Sequence, residues 1–271
     1  MVFNDLKHPQ RERLIFLDQC FAWRGVARRR DLIARFNVSM AQAALDFRVY
    51  LERAGRFAPR YDAVRKAYIA QPGFPGLSGD EVNRNWEQII RDGMGNRFAA
   101  LPKLTRANNP AVMARLYQAI ENRLAIHISY TSMTTGNDSG QWIAPARFAS
   151  DGERIHLRAY SFKHDEYRDY VPVRIDADSS FHTKPLESHL PRDADWHTLA
   201  RIYLQPKASL SREQARAVKL EYGFDGEALC IQTRKALEFY ADARWGLGQP
   251  SARLERVRVE YSRIDDEADP S

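Results

Sequence analysis

The sequence predicts an α+β chain of several domains, on three observations. Its 271 residues exceed what one ordinary core organises, and length alone points to about two or three compact units. The hydrophobic period changes along the chain, from that of a helix before residue 124 to strict alternation between residues 125 and 175. Charge is segregated: residues 1–70 carry 14 Lys and Arg against 7 Asp and Glu, whereas the remainder carries 27 against 28. A basic unit of that size is an electrostatic footprint for a polyanion, because each phosphate neutralised releases condensed counterions. An Arg-rich solvated surface would give the same totals, so the residue pattern has to decide.

In the basic unit, Leu14, Leu17 and Phe21 repeat at helical spacing from Pro9 to Phe21, and Gly25 ends that helix. A shorter helix from Arg28 to Phe36 buries Leu32 and Phe36, and Phe36-Asn37-Val38 makes the turn. Ser39 offers an N-cap oxygen to a third helix, Met40 to Arg53, with Met40, Ala44, Phe47 and Leu51 on one stripe. Two short helices joined by a three-residue turn form a helix-turn-helix. The face opposite the stripe holds Gln42, Asp46, Val49 and Arg53, flanked by Arg48, and is the candidate groove face. Gln42 lies where a recognition helix meets base edges and can bond adenine, although it is also a good exposed helix former. Ser39, Arg28 and Arg29 suit phosphates, since helix N-termini and Arg favour anions. After Gly55, residues 56–68 suit a short hairpin carrying Arg60 and Lys66, interrupted by Pro59; with it the unit is a winged helix-turn-helix spanning residues 1–70.

The Pro/Gly-rich run Gln71-Pro72-Gly73-Phe74-Pro75-Gly76 marks a boundary, followed by a helical connector over 71–123. It contains one helix around Val82, Trp86 and Ile89 and another from Pro110 through Val112, Leu116, Ala119 and Ile120. Four strands are then expected over 125–131, 140–148, 154–161 and 167–175, as a small antiparallel sheet or barrel over residues 124–190. Alternation sets His156, Arg158 and Tyr160 on one side of the third strand, and Arg168, Tyr170 and Arg174 on one side of the fourth. A face with His, Arg and Tyr and hardly any acid sketches an anion or nucleotide pocket, in which Arg forks bind phosphate and Tyr stacks a base. Polar-out alternation on a solvated sheet is the other reading.

These residues resemble the WYL-domain transcription regulators. The resemblance is carried by Ile128-Ser129-Tyr130, by Ile143-Ala144-Pro145-Ala146-Arg147-Phe148, by Ile155-His156-Leu157-Arg158-Ala159-Tyr160 and by Tyr167 through Ile175. The tripeptide that names the family, Trp-Tyr-Leu, reads Ile155-His156-Leu157 here. The His version followed by Arg-Ala-Tyr is similar to the winged-helix repressors found beside phage-defence islands of the BREX and CBASS types, whose N-terminal segment also resembles Leu14 to Tyr68. The resemblance implies a small Sm- or SH3-like β-barrel that senses a nucleotide or nucleic-acid signal. It carries the pocket onto Tyr130, Ser132, His156, Arg158, Tyr160, Arg168 and Arg174.

The rest of the chain fits the same resemblance. Strands at 199–206, 230–234 and 254–261 alternate with helices at 211–222 and 235–245, which the family implies to be an αβ dimerisation domain over 196–262. Residues 263–271 read as an acidic disordered tail. Cys20 and Cys230 are too far apart and too few for a disulfide framework and read as buried thiols. With no apolar run near the ~20 residues of a membrane span and no signal core, a cytoplasmic protein is expected. None of the seven His forms a His-x-His, His-Glu-x-x-His or comparable ligand set, and no phosphate-binding Gly loop or Gly-x-Ser-x-Gly elbow occurs. No cofactor, metal or enzymatic activity is therefore expected. The expected function is a homodimeric repressor on an inverted-repeat operator in duplex DNA, relieved by an anionic ligand. An Sm-like RNA-binding adaptor is one alternative. A metal-dependent nuclease using His164, Asp165, Glu166 and Asp169 is another, although the first three sit in a polar turn.

Overall fold

The computed structural model describes residues 2–102, 104–136, 138–186 and 190–264, and the chain divides into two compact units, residues 1–103 and 104–271. In the first, α1 (His8–Arg24) starts with a Pro in its first turn and stops at Gly25, whose left-handed backbone lets its N–H reach the Phe21 carbonyl. Strand β1 (Val26–Ala27) follows directly. Helix α2 (Arg29–Phe36) ends on left-handed Asn37, and α3 (Met40–Ala54) is capped by Ser39, whose hydroxyl accepts from the Gln42 N–H as expected. Strands β2 (Arg60–Asp62) and β3 (Ala67–Ile69) form the wing, and β3 lies between β1 and β2. Pro59 precedes the wing rather than breaking it.

The buried stripe of α3 is Ala43, Phe47, Tyr50 and Ala54, not Met40, Ala44, Phe47 and Leu51. The helix is rotated from the expected setting because two polar side chains find buried partners. Tyr50 donates to Asp18 Oδ1 at 2.7 Å, and Asp46 receives Arg13 Nε at 2.6 Å. The Pro/Gly run does not loosen the chain. Phe74 and Leu77 pack on the helical core, and Leu77 and Ser78 return to Asp18 through their N–H groups. Gly76 is required there: its φ is +87°, and a Cβ would stand 2.7 Å from Val82 Cγ2. A 3-10 turn over Gly79–Asn83 and α4 (Trp86–Met94) then pack on α1, where Gln19 Nε2 donates to the carbonyls of Glu81 and Arg84, both at 2.8 Å.

In the second unit, α5 (Pro110–Glu121) is capped by Asn109 and packs on a five-stranded antiparallel sheet. Its strands are β4 (Leu124–Thr131), β5 (Asp138–Ser150), β6 (Ile155–Ser161), β7 (Glu166–Tyr170) and β8 (Thr183–Pro185), in the order β7-β6-β5-β4-β8. Among the described residues this sheet is not a closed barrel; a single bridge joins Tyr130 of β4 to Ile175, beyond the end of β7, in place of a ladder. The fourth strand stops at Tyr170 instead of Ile175, since Pro172 lacks an N–H and residues 172–174 turn into a 3-10 helix. Strand β9 (Thr198–Pro206), α6 (Arg212–Glu221), β10 (Leu229–Arg234), α7 (Glu238–Trp245) and β11 (Leu254–Arg263) follow, with β9 central in a β10-β9-β11 sheet. Ala200, Ile202 and Leu204 of β9 bury against Val218 and Ala241 of the two helices. Cys20 is buried as expected, but Cys230 is exposed on the sheet. The acidic tail lies, from residue 265, outside the described residues. Among the described residues, no helix is long and apolar enough to cross a membrane.

Candidate nucleic-acid interface and anion cleft

A hollow of about 500 Å3 opens between the starts of α2 and α3 and the wing, lined by Arg28, Arg29, Arg30, Met40, Tyr61, Arg65, Lys66 and Tyr68. It gathers Arg28, Arg29 and Lys66, as the sequence suggests, and adds Arg30, Arg65 and the Tyr61–Tyr68 ring pair, 5.0 Å between centroids. Among the described residues, only Arg65 in this set has its side-chain charge paired, with Asp62 at 3.7 Å. Four like charges without counter-ions repel one another, and an anion relieves that cost. Arg30 was legible as the third member of the Arg28-Arg29-Arg30 run; Arg65 and the tyrosines needed the hairpin geometry, which holds Lys66 at φ +48° at the wing tip.

On α3, Arg48 is exposed and Gln42 half-buried, donating its amide to Asp46 Oδ1 at 3.0 Å. Asp46 itself is fully buried and cannot face a groove; it is the acceptor that binds Arg13 and Gln42 to the helix. Arg53 is also displaced from the assigned face. It sits in the last turn, chelated by both Asp5 oxygens and donating to the Val2 carbonyl. What α3 exposes over its first two turns is apolar: Met40 at 58 % and Leu45 at 39 %, with Ala41 between them. Arg60 is exposed on β2 and Ser39 exposed at the α3 start.

The polar face of β6 is not a pocket. His156, Arg158 and Tyr160 do share a side of the strand, but all three are buried, because the C-terminal segment covers that side and brings carboxylates with it. Arg158 donates to Asp193 at 2.7 and 2.9 Å and to Asp169 at 3.2 Å. Burial pushes its guanidinium down and these two acids outweigh it, so its proton is held more tightly than usual. His156 Nε2 lies 2.9 Å from Asp151 Oδ2, and its ring packs on Tyr240 at 4.3 Å. Burial raises the Asp151 carboxyl, but hydrogen bonds from His156, from the Glu153 and Arg154 N–H groups and from the Arg154 side chain hold it well below the usual range. Tyr160 donates to Asp165, and Arg168 faces solvent paired with Glu166. Tyr130 packs its ring on Tyr170, and its hydroxyl accepts the Val171 N–H at 3.2 Å. Ser132 caps the turn after β4 through the Thr134 N–H. The expectation that Tyr130, Ser132, His156, Arg158, Tyr160, Arg168 and Arg174 converge is therefore corrected. The acids that neutralise Arg158 come from 11 and 35 residues downstream, beyond the reach of strand periodicity.

Arg174 alone of that set lines a cleft of about 610 Å3 between residues 104–109, the 150–155 turn and the 171–174 turn. Arg106 and Arg154 line it with Arg174, together with Asn108, Asn109 and the apolar Met113, Ile155 and Val173. Arg106 and Arg154 are balanced by Glu153 and Asp151, whereas Arg174 has no acidic partner among the described residues. Apolar walls, amides and an unpaired guanidinium make a site able to hold an anion with a flat or apolar body. No cluster of three or more His, Cys, Asp or Glu able to hold a metal occurs among the described residues.

Three families match consecutive stretches of the chain. They are the winged helix-turn-helix domain of the BrxR transcriptional regulator over residues 9–85, the WYL domain over 111–177, and the BrxR C-terminal dimerization domain over 199–262. Among curated relatives, the DNA-binding transcriptional repressor CapW of Pseudomonas aeruginosa is 26% identical, over 95% of this chain and 90% of that protein. CapW of Stenotrophomonas maltophilia is 29% identical over 88% and 83%, and CapW of Escherichia coli 29% identical over 85% and 81%. Among solved structures, proteasome accessory factor B/C of Arthrobacter aurescens aligns with 91% of this chain and 46% of its own at 10% identity, with a TM-score of only 0.28.

Proposed function

Because the chain belongs to the WYL-domain transcriptional regulators with BrxR-type winged-helix and dimerization domains, we propose that it is a homodimeric DNA-binding repressor, acting in the cytoplasm on a phage-defence operon. The observation that carries this reading is the hollow of Arg28, Arg29, Arg30 and Lys66 beside the start of α3, where the basic charge of the first 70 residues meets a helix N-terminus. Those side chains, with Arg60 and Arg65, grip phosphates and set register, while α3 enters the major groove. Two copies related by a two-fold axis present two such helices, so the operator is an inverted repeat. The cleft at Arg174 receives the inducing ligand, a phosphate-bearing molecule whose body lies against Met113 and Ile155.

The exposed face of α3 makes the reading specific. Met40, Ala41 and Leu45 offer methyl-sized apolar surface, and in the major groove the matching partner is the thymine C5 methyl. Arg48, and the Gln42 carbonyl left over from its bond to Asp46, supply polar contacts on either side. Replacing a contacted thymine with uracil in the DNA upstream of the protein's own gene is expected to weaken binding about fourfold, since one buried methyl is worth about 0.8 kcal/mol. Leu45→Ala should weaken binding to the thymine operator and abolish the difference between the two DNAs. A fluorescence-anisotropy titration reads both; equal affinity of the wild-type protein for every uracil-substituted operator would refute this placement of α3.

A further inference from the structure

In the β10-β9-β11 sheet, β11 is an edge strand of ten residues, and among the described residues no strand other than β9 pairs with it. A long edge leaves a row of free N–H and C=O groups, which proteins normally blunt with a short strand, Pro or an isolated charge. Here the edge is neither short nor broken by Pro, its bulge lies before Arg258, and beyond it Arg258 and Glu260 flank Val259 as an opposite-charge pair.

We propose that β11 pairs edge to edge and antiparallel with β11 of a second copy, in the register that sets Val259 against its own counterpart. This rests on the dimeric reading above and assigns its contact. The pairing is isologous, since a two-fold axis perpendicular to the sheet at Val259 makes the two strands antiparallel with like faces aligned. Arg258 of each copy then faces Glu260 of the other, twice, on the open side of the sheet. That side is fixed by the register with β9, where Arg258 pairs with Tyr203 and Glu260 with Arg201. The register is selected by charge. A slip of two residues one way sets Arg258 against Arg258, and a slip the other way sets Glu260 against Glu260; slips of one residue flip one sheet over. The bulge between Arg256 and Arg258 confines regular pairing across the axis to residues 258–260 of each strand and leaves Val257, 48 % exposed, beside Tyr261 of the partner strand, itself 53 % exposed. The opposite edge, β10, is six residues long and has Arg234 as its only charge, engaged by the Trp196 carbonyl, so it offers no complementary pair.

Within one copy Arg258 lies 3.3 Å from Glu260 and 4.1 Å over the Tyr203 ring, and Tyr203 donates to Glu260 at 2.8 Å. The test therefore reverses charges in a way that distinguishes these contacts from those between copies. The full chain and its Arg258→Glu, Glu260→Arg and doubly reversed variants are compared by sedimentation velocity across concentrations, with circular dichroism recording that each is folded. Each single variant sets like charges opposite each other across the axis and is expected to weaken dimerisation about tenfold or more. The double variant should regain it. So should an equimolar mixture of the two singles, because the two acidic side chains that Arg258→Glu leaves on one strand then meet the two basic ones that Glu260→Arg leaves on the other. Single variants that dimerise like the wild type would place the contact elsewhere and leave the dimeric reading standing. Folded single variants that stay apart both in the mixture and after double reversal would overturn the register. A wild-type chain that is monomeric at every concentration would overturn the dimeric reading itself.

Discussion

Arg158→Ala should cost the second unit about 3–5 kcal/mol of stability, the usual consequence of removing one partner from a buried ion pair. The guanidinium is nearly enclosed, with three hydrogen bonds to two acids, and Tyr240 of α7 donates to the second of those acids, Asp169, at 3.0 Å. Without Arg158, the buried Asp193 and the half-buried Asp169 remain without a counter-charge. The strands of the WYL sheet and α7 of the dimerisation domain lose their shared polar contact at the same time. Arg158→Lys should recover part of the loss, since an ammonium cannot reproduce a fork across two carboxylates. Arg174→Ala, with no acidic partner, should stay within about 0.5 kcal/mol of the wild type and lose the response to inducer instead. Urea unfolding of the three variants separates the roles. An Arg158→Ala protein as stable as the wild type would return this residue to the ligand pocket that the sequence suggested.

Asp18→Ala is expected to destabilise the winged-helix unit by a similar amount, about 3–5 kcal/mol. Its fully buried carboxylate accepts from the Tyr50 hydroxyl at 2.7 Å, the Ser78 hydroxyl at 2.6 Å, and the Leu77 and Ser78 N–H groups at 2.8 and 2.9 Å. Truncation leaves four donors without an acceptor in a dry site and releases the 77–78 segment from α1. Ser78→Ala, which removes only one donor, should cost about 1–2 kcal/mol. Thermal unfolding checks the order; equal effects of the two variants would mean that the carboxylate is not the hub of this contact.

The sequence made the order of elements legible because amphipathic spacing and end signals are local. Ser39 caps the helix it was expected to cap, and Gly25 and Asn37 stop helices where expected. What it concealed depended on distant partners. Asp18, Asp46 and Arg158 are charges on buried faces, acceptable only because Tyr50, Arg13 and Asp193 reach them from 32, 33 and 35 residues away. Reading Asp46 as solvent-facing rotated α3, and so named Asp46 and Arg53 as groove residues in place of Met40 and Leu45. Reading β6 as half-solvated hid the C-terminal cover and placed a pocket where a polar core lies. The cleft at Arg174 was missed because residues 104–109 have no periodicity to connect them with the 150–155 turn.

That two copies of this chain grip an inverted repeat through the basic hollow of each winged helix is tested most directly by titrating the DNA upstream of its gene, intact and with one half-site scrambled, across salt concentrations. Two protomers should bind the intact repeat, and scrambling should cost at least about a hundredfold in affinity, since each mismatched base pair is worth about 1–3 kcal/mol. Arg29→Ala with Lys66→Ala should lower affinity for both DNAs alike and flatten the salt dependence by about two phosphate contacts per protomer. Equal affinity for the intact and scrambled DNA, with an unchanged salt slope in the double variant, would contradict this mode of binding.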